Sequence, residues 1–95
     1  MDRISIDNFK MIQNNSNIID IRSVQSYNNN HILGAINIPF EKLLVNPNIY
    51  LDKNKTYYIY CQKGISSRNL CEILSKAGYK VISIDGGYEN WVLSN

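Results

Sequence analysis

Cys61 is the residue in this sequence with the clearest potential for chemistry. It follows a short run of aromatic and β-branched residues, Tyr57 to Tyr60, and precedes a stretch with helical spacing of apolar residues. We expect Ser66 or Ser67 to be the N-cap of that helix. Backbone N–H groups of the turn and the positive end of the helix dipole would then point at the thiol and favour its thiolate form. The sequence therefore predicts a nucleophilic cysteine in an anion-binding loop.

The residues around Cys61 fit such a loop. Gly64 can adopt the positive φ that a tight turn usually needs, and Lys63 would bring a positive charge near the sulfur, with Arg68 as a second cation. A free cysteine at the end of a strand is otherwise more often a buried structural residue. The glycine, the lysine and the two serines favour the functional interpretation here. Cys71 instead lies on the apolar face of the helix, where we expect an inert core thiol.

Size, charge and composition limit the other functions. A chain of 95 residues is long enough for one domain, which we expect to span residues 1–95. The formal charge of +2 is too small to indicate a nucleic-acid partner. The sequence shows no secretory signal and no run near the roughly 20 apolar residues of a membrane span, which predicts a cytoplasmic protein with no membrane partner. With two cysteines and one histidine, His31, we expect no metal site and no cofactor.

Short apolar runs alternate with helical segments along the chain, and these elements must position the loop. The predicted strands cover residues 4–6, 18–21, 35–38, 57–60 and 81–84. The first predicted helix is capped by Ser5 or Asp7 and runs to Ile12. The others cover one turn at 26–30, then 40–44, 67–77 and 88–93, with 45–54 as a surface connection. Such alternation indicates an α/β fold with a mostly parallel sheet, in which ligands bind beyond the carboxyl ends of the strands. The loop that contains Cys61 begins at such an end.

Three stretches, taken in order and at their separations, resemble the rhodanese-like sulfurtransferase family. They are Ile18 to Arg22 with His31 to Pro39, the loop Cys61 to Ser67, and Asp85 to Tyr88 with Trp91. The resemblance implies a single rhodanese-like domain with a five-stranded, mostly parallel sheet flanked by helices on both faces. Each stretch alone is a weak signal, but the three together are specific.

The resemblance also implies a reaction. In the family a donor such as thiosulfate passes its outer sulfur to the cysteine, and an acceptor takes it from the resulting persulfide. Cys61 would be the catalytic nucleophile, and the acceptor would be cyanide, a small thiol or a protein such as thioredoxin. With lysine at position 63, the loop resembles that of the members that use thiosulfate. The arginine common in the loop is replaced by Ser66. The residues expected to bind substrate are Gln62, Lys63, Gly64, Ile65, Ser66 and Ser67, with electrostatic support from Arg68.

Other residues of the motifs are expected to have structural roles, namely Asp20, Arg22, His31, Gly86 and Gly87. Alternation along a strand places Asp20 and Arg22 on the same face, where they could pair with each other or with neighbours. Val24 and Ser26 stand where the family often has proline and glutamate, so we expect the ion pair from that side to Arg22 to be missing.

Three alternatives remain open beside the enzyme. A persulfide carrier, relay or sensor that delivers sulfur to a protein partner needs the same loop, so the sequence does not separate it from the enzyme. A cysteine-dependent phosphatase is less favoured, because such enzymes need an arginine after five intervening residues. Ser67 occupies that position and Arg68 is one residue late. A binding module without catalysis is disfavoured, since such modules often lack the cysteine.

Overall fold

The computed structural model describes residues 2–94, and Met1 and Asn95, the ends of the predicted domain, lie outside the described residues. The strands are β1 (Asp2–Ile4), β2 (Asn17–Asp20), β3 (Ala35–Asn37), β4 (Thr56–Tyr60) and β5 (Lys80–Ile84). The α-helices are α1 (Ile6–Ile12), α2 (Val24–Asn29), α3 (Phe40–Val45), α4 (Pro47–Tyr50), α5 (Ile65–Lys76) and α6 (Gly87–Leu93), and a 3₁₀ turn covers Gln13–Asn15.

The strands form one sheet in the order β1-β5-β4-β2-β3, and every pairing between neighbours is parallel. The predicted α/β fold with a parallel sheet is therefore confirmed. Strand β4 lies at the centre, between β5 and β2. Its carboxyl end, which leads into Cys61, is consequently surrounded by the carboxyl ends of two other strands, where parallel α/β folds place their ligand sites.

Side chains of β4 alternate between two cores, one on each face of the sheet. Tyr57 and Ile59 belong to the core that α3 and α5 cover, which includes Leu43, Leu70, Cys71 and Leu74. Tyr60 belongs to the other core, which contains Ile6 and Phe9 of α1. Partly buried aromatic residues of α2 and α6 pack against this core, namely Tyr27, Tyr88 and Trp91. Helices thus cover both faces, as predicted. The opposed cores fix the central strand from both sides, so the loop after it starts from a rigid point.

Two predicted boundaries near the sheet are wrong. The first strand ends at Ile4, because the Ser5 side chain accepts a hydrogen bond from the Asn8 N–H at 3.2 Å and starts α1 at Ile6. The segment 45–54 is more than a surface connection, since it contains α4, with Pro47 in its first turn, and the buried Leu51. Proline in that first turn loses no intrahelical hydrogen bond.

Candidate active site

Cys61 lies directly after β4, at the floor of a loop that runs into α5. Only 6% of the residue is exposed, and its thiol is free. Above it lies a depression of about 330 Å³ that is lined by Cys61, Gln62, Lys63, Ile65 and Ser66. The structure therefore brings five of the seven residues of the predicted loop together around one small opening.

The Cys61 sulfur accepts hydrogen bonds from two backbone N–H groups. The donors are Gly64, at 3.1 Å from Sγ, and Ser67, at 3.3 Å. Ser67 lies in the first turn of α5, whose N–H groups have no acceptor within the helix and whose dipole is positive at this end. The N–H groups of Ile65 and Ser66 belong to the same turn. Such a set of donors stabilises negative charge on sulfur or on a bound anion.

The helix behind the loop begins earlier than the sequence indicated. Gly64, and neither Ser66 nor Ser67, is its N-cap, and α5 starts at Ile65. Gly64 has φ 90°, a left-handed conformation that turns the chain without a side chain to strain it. Ser67 is buried, and its Oγ accepts a hydrogen bond from the Cys61 thiol, at 3.4 Å from Sγ. A serine that faces the nucleophile is not available to cap the helix.

The hydroxyl of Ser67 also contacts Ser83 Oγ of β5, at 2.9 Å. Ser83 is buried, and it was missed in the sequence. The only signal was a polar residue between Ile82 and Ile84 in an otherwise apolar strand. Alternation places Ser83 on the same face as Val81, towards α5 and the loop.

The paired glycines after β5 hold the loop from behind. Gly86 and Gly87 have φ values of 76° and 62°, and they lead into α6. The N–H groups of the next residues, Tyr88 and Glu89, donate to the carbonyl oxygens of Cys61 and Gln62 at 2.8 and 3.0 Å. A side chain on Gly87 would collide with the loop backbone at Cys61 and Gln62. The turn is therefore a backbone support for the cysteine.

Asp20 and Arg22 form a buried ion pair beside the loop. Arg22 Nη2 lies 2.8 Å from Asp20 Oδ2, and Arg22 Nη1 donates to the side-chain oxygen of Gln62 at 3.2 Å. Burial by itself lowers the pKa of Arg22, but the hydrogen bonds that Arg22 donates to Asp20, together with the charge of Asp20, outweigh this and raise the pKa above its usual value. Val24 and Ser26 carry no charge to pair with Arg22, and Asp20 is its ion-pair partner instead.

Tyr60 completes this network. Its hydroxyl donates to Asp20 Oδ2 at 2.6 Å and accepts the Ile32 N–H at 3.1 Å. Burial raises the pKa of Tyr60 well above its usual range, and the hydrogen bond to Asp20 acts in the same direction. The tyrosine is therefore a neutral donor that fixes the buried carboxylate.

The remaining predicted residues have other surroundings. The side chain of Gln62 is engaged with Arg22 and, at 3.5 Å, with Glu89 of α6. Lys63 is exposed at the rim of the depression, while Arg68 is exposed about one turn further along α5. His31 stacks on Tyr27 and contacts its carbonyl oxygen through Nδ1 at 2.8 Å. The histidine is thus a local link in the segment after β2.

Cys71 lies in the core rather than at the loop. It is fully buried on α5, among the apolar residues that face the sheet. Burial, followed by the charge of Cys61, raises the pKa of Cys71 to about 12. A thiol in that state is a poor nucleophile at neutral pH.

Residues 2–94 contain no cluster of three or more histidine, cysteine, aspartate or glutamate side chains that could hold a metal ion. In the same range, no helix is both long and apolar enough to cross a membrane.

The fold is a parallel α/β domain, and its cysteine lies between the central strand and the N-terminus of a helix. Backbone N–H groups contact the sulfur there. The sequence profile of the Rhodanese-like domain matches residues 5–94. The chain therefore belongs to the rhodanese-like domain family.

Individual relatives agree with this assignment. The chain is 38% identical over 79 residues to the thiosulfate sulfurtransferase GlpE of Shewanella oneidensis, which covers 82% of this chain and 77% of that protein. It is 32% identical over 92 residues to the putative sulfur carrier protein YrkF of Bacillus subtilis, covering 93% of this chain and 49% of that protein. The crystal structure of a rhodanese-like domain protein from Staphylococcus aureus superimposes with a TM-score of 0.86 at 29% identity, over 96% of this chain and 91% of that one. Family and relatives together support sulfur transfer as the general function.

Proposed function

We propose that this protein is a thiosulfate sulfurtransferase that works through a persulfide on Cys61. The Cys61 thiolate attacks the outer sulfur of thiosulfate, a new S–S bond forms at Cys61, the S–S bond of thiosulfate breaks, and sulfite leaves with the bonding electrons. Cyanide or a thiol then attacks the terminal sulfur and regenerates the thiolate. Two displacements at one nucleophile give ping-pong kinetics.

The geometry at the Cys61 sulfur carries this proposal. The N–H groups of Gly64 and Ser67 donate to Sγ, and the opening above it begins at the positive end of α5. These donors stabilise negative charge in place before the reaction, which is the main way in which protein sites lower barriers of this kind. A thiolate attacks without a general base, so a histidine remote from the sulfur is consistent with the reaction.

Thiosulfate as the donor is supported by charge and by a relative. Lys63 lies at the rim of the depression, where it attracts an anion, and Arg68 adds charge at longer range. The relative from Shewanella oneidensis is named a thiosulfate sulfurtransferase. We assign donor binding to the loop from Gln62 to Ser67 and propose a reducing, cytoplasmic setting, in which free thiols persist.

A thiosulfate:cyanide assay tests this function. Initial rates at several fixed cyanide concentrations should give parallel double-reciprocal lines, and Cys61→Ala should fall to the uncatalysed rate. Cys71→Ser serves as the matched control, because it removes a thiol from the core and leaves the loop intact. A wild-type rate equal to that of the buffer, or full activity in Cys61→Ala, would contradict the proposal.

A persulfide relay is the second candidate, and a relative named as a putative sulfur carrier favours it. In that case thiosulfate loads Cys61, but cyanide unloads it slowly and a protein thiol unloads it fast. Single-turnover transfer from the loaded protein to reduced thioredoxin, compared with transfer to cyanide at equal concentration, separates the two. Faster transfer to cyanide than to thioredoxin indicates the enzyme, and the reverse order indicates the relay.

A further inference from the structure

Ser83 is a buried polar residue for which packing gives no reason. It is 1% exposed, on the face of β5 that is covered by α5. Burial of a hydroxyl costs free energy unless it is hydrogen bonded, and buried polar groups in folded proteins are bonded accordingly. Within residues 2–94, the partner of the Ser83 hydroxyl is Ser67 Oγ, at 2.9 Å.

This contact continues to the nucleophile. Ser67 is fully buried, and its Oγ lies 3.4 Å from Cys61 Sγ. The three side-chain atoms thus form a chain from the sulfur through Ser67 to Ser83. The Ser67 N–H, at 3.3 Å from the same sulfur, holds the serine backbone in place.

Counting hydrogens along the chain distinguishes the two states of Cys61. In the thiol form there are three hydrogens, one on Sγ and one on each hydroxyl, but only two contacts between the three atoms. One of the three hydrogens therefore has no acceptor among these atoms. Loss of the thiol proton leaves two hydrogens for two contacts. Ser83 then donates to Ser67, and Ser67 donates to the sulfur. The chain is matched to the ionised form, and consecutive hydrogen bonds strengthen one another.

We propose that Ser83 is a positioning residue that acts on Cys61 through Ser67. By donating to Ser67 Oγ, it turns the Ser67 hydroxyl towards the sulfur and favours the thiolate. This proposal rests on the proposed function in taking Cys61 as the nucleophile. Alkylation of the thiol tests it with no sulfur donor present, so the two can fail separately.

The charged and titratable groups of the surrounding elements stay unchanged when Ser83 is replaced. Within the described residues these include Lys63 of the loop, Arg68 and Cys71 of α5, Arg22 and Glu89, which are hydrogen bonded to Gln62, and Arg3 of β1, which lies in register with Ser83 and pairs with Asp85. Any change in how Cys61 titrates in a Ser83 variant therefore reports on the hydroxyl chain.

The test is the rate of Cys61 alkylation by iodoacetamide as a function of pH. Ser83→Ala should slow alkylation at pH 7 by about three-fold and move the midpoint up by about half a pH unit. Ser83→Val, which fills the site with methyl groups, should do the same even if it is more stable than the alanine variant. Ser83→Thr keeps the hydroxyl and should restore the wild-type midpoint. Urea unfolding of each variant separates this effect from stability.

A double-mutant cycle tests whether Ser83 acts on Cys61 through Ser67. In a Ser67→Ala background, Ser83→Ala should have no further effect on the midpoint, because the intermediate hydroxyl is gone. An unchanged midpoint in both Ser83→Ala and Ser83→Val would overturn the proposal, as would a full Ser83 effect without Ser67. If the Ser83 effect is present and wild-type turnover with thiosulfate is absent, the proposed function fails and this inference stands.

Discussion

The Cys61 sulfur is surrounded by hydrogen-bond donors, which decides how the residue can react. The Gly64 and Ser67 N–H groups contact it, while His31 is bonded to the carbonyl oxygen of Tyr27. In the proposed reaction these donors stabilise negative charge on the sulfur, so no side-chain base is assigned. We therefore expect reactivity to follow the loop geometry.

Lys63 is expected to capture the donor and not to take part in the chemistry. Lys63→Ala should raise the KM for thiosulfate about five-fold at low salt and leave kcat nearly unchanged, as for an exposed charge contact of about 1 kcal/mol made equally in the ground and transition states. The difference should shrink as salt screens the wild type too. Lys76→Ala, at the far end of α5, is a control with the same change in net charge. An unaltered KM in Lys63→Ala at low salt would point to a donor recognised by other contacts.

At this scale the sequence was informative where residues are contiguous. Cys61, Gly64 and Ser67 stand within one loop, and their types and spacing are enough to indicate an anion site. Ser83 is 16 positions from Ser67, and its role depends on how β5 packs against α5. A strand serine with no motif around it carries no comparable signal.

At the scale of elements, the loop is held by the start of α6. Gly64 approaches the Gly86 backbone so closely that a Cβ on Gly64 would lie 2.8 Å from the Gly86 nitrogen. The backbone bonds from Tyr88 and Glu89 to Cys61 and Gln62 need this approach. The loop and the two-glycine turn are thus a single unit.

Gly64→Ala should damage this unit. The alanine would occupy a left-handed conformation at a cost of about 1–2 kcal/mol and would also push against backbone that cannot move freely. We expect a larger loss of unfolding free energy in urea than for Gly78→Ala, together with loss of sulfur transfer. Gly78 is a matched control, since its φ is 98° but the atoms nearest to a Cβ there belong to the flexible Lys53 side chain, at 3.5 Å or more. Equal losses in the two variants would mean that the close approach to Gly86 has no energetic role.

Boundaries of elements were less predictable than their existence. Both Ser5 and Ser67 look like helix caps in the sequence, but only Ser5 is one. Ser67 was predicted wrongly because it lies in the first turn of α5, where its hydroxyl contacts the Cys61 sulfur instead of capping the helix. Propensity describes an isolated segment, whereas the choice at Ser67 depends on tertiary contact.

For the whole molecule, the fold class follows from alternating strands and helices, but the strand order does not. Strands β2 to β5 could be located from their apolar runs, whereas β1 shares only Ile4 with the strand predicted there. That β4 lies between β5 and β2 depends on how the crossovers pack, which residue patterns alone do not specify. Residue types did indicate that Asp20 and Arg22 could pair, but not that Arg22 also reaches Gln62 of the loop.

The buried Cys71 links stability to pH. Its pKa is raised to about 12 in the folded protein, and in the unfolded chain a thiol has a pKa of about 8.5. Below that lower value both states hold the proton, and above it the unfolded chain loses the proton first. The free energy of unfolding should therefore fall between these pH values, by up to about 1.4 kcal/mol per pH unit.

Cys71→Ala should remove this part of the alkaline loss. Urea unfolding at several pH values from neutral to alkaline should show a shallower decline than in wild type, although the variant is less stable at neutral pH because of the cavity. Cys61→Ala is the companion control for the loop thiol. The same pH slope in Cys71→Ala and wild type would contradict the burial of this thiol.

Intact-mass analysis after incubation with thiosulfate is the most direct test of the central claim that Cys61 carries the sulfur. Wild type and Cys71→Ser should each gain the mass of one sulfur atom, and cyanide should remove it. Cys61→Ser should gain nothing, since the thiol that accepts the sulfur is missing. A sulfur increment that persists in Cys61→Ser, or one that disappears in Cys71→Ser while the protein remains folded, would contradict this account.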